Sequence, residues 1–171
     1  MSTSRALLLG TLTVGTLDIL DAIIFFGIRN HVAPIRIFQS IAAGLLGRGA
    51  FAGGLRTAVL GAALHYFIAF MIVATFFVVS RYIVMLRQRP MLFGPLYGIG
   101  VYLFMNFVVL PLSNAGRGPL VLPVVINGLF IHMVGVGLPS SLFARLALNR
   151  QSSASQVPSP GGVKSSQRPG P

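Results

Sequence analysis

Six polar side chains able to hold a cation or pass a proton lie inside long apolar stretches of this 171-residue chain: Asp18, Asp21, His65, Asn106, Asn127 and His132. Asp18 and Asp21 are its only acidic residues. Three apart, they share one face of a helix. On insertion scales an ionisable group at the centre of a lipid-embedded helix costs about 2.5–3.5 kcal/mol, so each one asks for a partner or a use.

Their depths can be counted at 1.5 Å per residue. From the polar break after the first apolar stretch, Asp21 lies about 10 Å in and Asp18 about 15 Å. From the same side His65 lies about 12 Å in, His132 about 16 Å, and Asn106 and Asn127 about 8–9 Å. All six therefore belong to one half of the layer, with Asp21 level with His65 and Asp18 level with His132.

Three chemistries fit such a set. Carboxylate–imidazole bonds and an Asn106–Asn127 bond would hold helices in register. Aspartates and histidines facing a wet cavity would instead form a proton or cation path, as in a small transporter. Two Asp and two His would also suit a divalent metal, although no His-x-x-x-His spacing is present. His65 and His132 sit on helices running the same way and could clamp a haem iron. No motif specifies a cofactor. Enzymatic signatures are missing as well: there is no cysteine, and the five glycines from Gly44 to Gly54 lack the Gly-Lys-Ser/Thr of a phosphate loop. The expected class is non-enzymatic.

Composition decides what must position these residues. Apolar side chains make up 54% of the chain and charged ones 9%, with a mean hydropathy of +0.84. Soluble domains carry about 25% charged residues. Too few charges remain here to coat a body in water, so lipid is the expected partner. Apolar runs over about 6–28, 57–80, 91–110 and 121–142 are each long enough, or nearly so, to cross a hydrocarbon layer as a helix. The expected fold is an all-α four-helix transmembrane bundle occupying residues 1–148. Between the first two runs, Pro34 to Leu55 carries Arg36, Gln39, Ser40 and Arg48, and reads as a short interfacial or partly re-entrant helix. Residues 149–171 are rich in Ser, Pro and Gly and read as a disordered basic tail. Met1 to Ala22 has the look of a signal peptide, but Asp18 and Asp21 interrupt it and no small-residue cleavage site follows, so it reads as a retained first helix.

Net charge is +11. The arginines flank apolar runs, which is how membrane anchors are placed and not how a nucleic-acid face is built. Arg5, Arg81, Arg87, Arg89, Arg145 and Arg150 fall on the side of the termini, and Arg29, Arg36, Arg48, Arg56 and Arg117 fall opposite. Six against five, with the short basic loop from Arg81 to Arg89, favours cytoplasmic termini. Small-residue faces such as Gly94-x-x-x-Gly98 allow close helix packing, within the chain or in a homo-oligomer. Gly61-Ala-Ala-Leu-His65 parallels Gly128-Leu-Phe-Ile-His132, and Leu9-Gly-Thr-Leu12 echoes Phe93-Gly-Pro-Leu96, a pattern expected of a duplicated helical hairpin.

Asp18-Ile-Leu-Asp-Ala22, Ile37-Phe-Gln-Ser-Ile41 with Ala42 to Gly47, and Leu64-His-Tyr66 resemble segments of the small multi-pass inner-membrane proteins of bacteria, broadly the YagU-like group. Met105-Asn-Phe-Val-Val-Leu-Pro111 and His132-Met-Val-Gly-Val-Gly-Leu-Pro139 extend the resemblance, which spans about Leu9 to Arg145. It implies a bacterial inner-membrane location and a multi-pass fold, and brings no catalytic residues with it.

Overall fold

In the computed structural model, residues 2–116 and 118–154 are described, and among them there is no strand. The first helix, α1 (Thr3–Asn30), is capped by Ser2, whose Oγ accepts the Arg5 N–H at 3.3 Å. It ends where His31 turns left-handed (φ 52°) and donates its N–H to Gly27 O. Pro34 then opens α2 (Pro34–Leu46), with a backbone preset for a first helical turn. A 3-10 turn (Gly47–Ala52) leads into α3 (Gly54–Tyr82). The short α4 (Val84–Gln88) joins it to α5 (Pro90–Leu112), and α6 covers residues 122–154.

Four of these helices, α1, α3, α5 and α6, are long and apolar enough to cross a membrane. No more than 28% of the most apolar window of any of them is buried within the chain. Leu8, Ile24, Val59, Phe67, Leu96 and Phe130 point outward, inverting the pattern of a soluble protein. By contrast α2, at 13 residues, is about 20 Å long and falls short of the roughly 30 Å of a hydrocarbon core.

The fourth span departs from expectation at its end. The apolar run is expected to end near residue 142, and the helix, with Pro139 inside it, runs on through Ala154. A mid-helix proline lacks an N–H and its ring crowds the carbonyl four residues back. Here a π-helical stretch, His132–Gly137, widens the helix just before Pro139, and Met105–Val109 does the same before Pro111 in α5. Ser140 Oγ then donates to Val136 O at 2.7 Å. Ala144, Ala147 and Leu148 are buried against the bundle, so packing holds this segment in place. Of the expected tail, residues 155–171 lie outside the described part.

Glycines set the closest approaches. A Cβ on Gly98 would strike His132 O and the Met133 backbone, and one on Gly137 would strike Gly94 O. The Gly94-x-x-x-Gly98 face thus seats α6 of the same chain. Gly61 of α3 likewise lies against Phe38 O of α2. Tyr97 Oη ties α5 to α3 by donating to Ile72 O at 2.6 Å. The main core, with Val14, Val73, Phe76, Phe77 and Val136, fills the half of the bundle nearer the termini. The other half is only partly filled, and α2 closes it.

Polar bonds hold α2 in that position. Gln39, 2% exposed, donates from Nε2 to Gly54 O (3.0 Å) and accepts from Arg36 Nη1 (3.2 Å). Arg36 Nη1 also donates to Phe51 O at 2.9 Å. Asn114, just past α5, gives its side-chain Nδ2 to Leu45 O (2.7 Å) and its backbone N–H to Gly44 O (2.9 Å).

Candidate functional site: a polar-lined cavity between the spans

Where the core stops, a cavity of about 620 Å³ opens between α1, α2, α3, α5 and α6. All six polar residues singled out from the sequence line it. Arg36 and Ser40 from α2 and Tyr102 from α5 join them. The rest of the wall is mainly apolar, including Phe25, Phe26, Ile68, Ile72, Ile131 and Val136.

The pairings only partly follow the depth count. Asp18 Oδ1 and His132 Nδ1 are 4.0 Å apart, with the side chains 30% and 17% exposed. The same Nδ1 is 2.8 Å from Gly128 O. A carbonyl only accepts, so Nδ1 carries a proton and Asp18 sits at the edge of its reach. Asp21 does not meet His65. Its Oδ2 accepts from Asn127 Nδ2 at 2.7 Å, which joins α1 to α6. His65 is buried and places Nε2 2.7 Å from Gly15 O, so Nε2 is its protonated nitrogen. Nor do the two asparagines bond to each other: Asn106 Nδ2 donates to Tyr102 O, one turn back on its own helix, at 2.9 Å.

Depth is one coordinate of a residue on a helix, and azimuth is the other. His65 and Asp21 share a level, but His65 faces the bare backbone at Gly15, where no side chain blocks the ring. Gly15 itself has no room for a Cβ, which would lie 2.7 Å from the Tyr66 ring.

His65 and His132 each also meet a tyrosine edge-to-face. His65 and Tyr66 have centroids 5.4 Å apart at 80°, and His132 and Tyr102 are 5.4 Å apart at 78°. Tyr66 Oη is 3.0 Å from Thr16 Oγ1, a further link from α3 to α1. Tyr102 carried no sequence signal. Arg36 carried one that pointed elsewhere, since arginine at the edge of an apolar run reads as a topology marker. Its guanidinium is in fact bonded to Phe51 O and Gln39 and lies 5.7 Å from the Phe51 ring centroid.

Among the described residues, no three His, Asp or Glu side chains form a group able to hold a metal ion. One ring nitrogen of His65 and one of His132 are already committed to backbone carbonyls. The arrangement can do two things: place a carboxylate pair opposite a protonatable imidazole, and enclose a largely apolar body beside them.

Four apolar helices around a partly polar chamber define the class, a multi-pass, all-helical membrane protein. Comparison with protein-family models, with curated proteins and with solved structures finds no match.

Proposed function

We propose that the chain is a non-enzymatic membrane protein that handles protons or small cations through this cavity, as a small transporter would. One observation carries the reading: the only two carboxylates in the sequence both line a single cavity, with His132 4.0 Å from Asp18. Intramembrane ionisable groups are expensive, and those retained on a cavity wall mark ion or proton paths. The titratable and charged groups that line the cavity with Asp18 are Asp21, one turn along the same helix, and His65, His132 and Arg36 from the other helices.

The membrane is proposed to be a bacterial inner membrane, in line with the YagU-like resemblance, with the termini in the cytoplasm. The short basic loop between α3 and α5, with Arg81, Arg87 and Arg89, supports that orientation.

The test is proton flux into liposomes carrying a pH-sensitive dye, driven by an imposed gradient. The double replacement Asp18→Asn and Asp21→Asn is expected to reduce flux by about tenfold or more, as the loss of a charged relay requires. Unchanged flux in a folded variant removes the proposal. A second reading, that the polar set is a strut, draws on the Asn127–Asp21 bond between α6 and α1. It predicts variants that fold poorly while the folded fraction keeps its flux.

A further inference from the structure

We infer that the cavity binds an amphiphilic organic monocation, an ammonium or phosphonium centre carried on an aromatic or branched hydrocarbon body. The inference rests on the cation-handling reading above and names its ligand. Size comes first. A volume of about 620 Å³ matches a small-molecule site and would leave a bare inorganic ion surrounded by empty space. The donor set agrees: a hard cation demands about six oxygen ligands, and among the described residues no three His, Asp or Glu side chains group to hold a metal ion.

Charge sets the sign and the number. Two carboxylates face one guanidinium, and Arg36 is engaged by Phe51 O, by Gln39 Oε1 and by the face of Phe51. With neutral histidines the wall is one negative charge in excess, which calls for a single positive one. Acceptors remain for it. Oδ2 of Asp18 and Oδ1 of Asp21 take no hydrogen bond among the described residues, whereas Asp21 Oδ2 is held by Asn127. With no hydrogen-bond donor on them among the described residues, these oxygens suit a centre that attracts by charge and has few or no N–H groups to satisfy.

The body of the ligand is matched by the remaining wall. Phe25 and Phe26 stand edge-to-face with centroids 5.3 Å apart, and Ile131 and Val136 of α6 line the same cavity. Aromatic faces attract a desolvated organic cation as well as its hydrocarbon substituents. An anion of the same shape meets the same apolar wall but the wrong charge.

The probe is radiolabelled tetraphenylphosphonium, added to the full-length chain in lipid nanodiscs, with tetraphenylborate as the competitor of equal shape and opposite charge. The expected result is saturable one-to-one binding, weakened about tenfold or more by Asp18→Asn with Asp21→Asn, and not displaced by tetraphenylborate. Ile131→Trp, which narrows the apolar wall and leaves both carboxylates in place, is expected to weaken it comparably and covers the case in which the Asn variant does not fold. No saturable binding, equal displacement by tetraphenylborate, or unchanged affinity in folded variants would overturn the inference. Proton flux that depends on the aspartates without tetraphenylphosphonium binding removes this inference alone. Loss of both removes the cation-handling reading with it.

Discussion

Alanine at Gly98 is expected to destabilise the bundle by about 2 kcal/mol, and valine to prevent its assembly, because the added carbon would meet backbone and not a side chain that can turn away. The obstructing atoms are His132 O, His132 C and Met133 Cα, all on the π-helical stretch of α6. Moving them means shifting α6 off α5, which also carries His132 away from Asp18. Gly100, two residues along the same helix, has nothing within 4 Å of an added Cβ. Gly100→Ala should be neutral, or stabilising by up to about 1 kcal/mol from helix propensity. Reversible unfolding in mixed detergent micelles reads both. Equal tolerance of alanine at 98 and 100 would mean that α5 and α6 do not approach as described.

Asn127→Leu is expected to cost about 2 kcal/mol, the range for losing a hydrogen bond to a charged group. The loss would be larger than the packing change implies, since Asp21 Oδ2 keeps its charge and loses its donor at 2.7 Å. Coupling is the diagnostic. The double variant Asp21→Leu with Asn127→Leu should cost less than the two single changes summed, by about 1 kcal/mol or more. Strict additivity would show that the α1–α6 bond contributes nothing. Strut and path both allow a large coupling energy, so the cycle is read beside the flux assay: aspartate-dependent flux marks a path, and coupling with no flux change marks a strut.

The architecture was legible in the sequence for a simple reason. A bilayer admits backbone only as closed hydrogen-bonded structure, so run length and hydropathy alone locate spanning helices. The short helix after the first span was legible too, since Pro34 opens it and the glycines from Gly44 onward loosen it. Its attachments were not. Gln39 and Arg36 read as interruptions of an apolar run, and only tertiary contact shows that they pin α2 to Gly54 and Phe51. The end of the last helix was not legible either, because the apolar run gives out near residue 142 while the helix continues through Ala154, its segment beyond Pro139 packed on the bundle.

For the polar set, counting along helices brought six residues to one half of the membrane, and those six line one cavity. It could not say which of them touch. His65 turned to a backbone carbonyl at Gly15 and Asn106 to its own helix, because contacts depend on how each helix is rotated about its axis. Rotation is set by packing at Gly98, Gly137 and Gly61, which no count of depth contains.

The most direct measurement is thiol labelling, for which a chain without cysteine is already suited. Ala22 lines the cavity, whereas Ile24, two residues on and about 3 Å further along α1, points outward and is 57% exposed. With the protein in lipid vesicles, a water-soluble maleimide should modify Ala22→Cys and spare Ile24→Cys, since one faces a wet chamber and the other acyl chains. Labelling of Ile24→Cys as fast as Ala22→Cys, or faster, would contradict both the cavity and the bilayer around it.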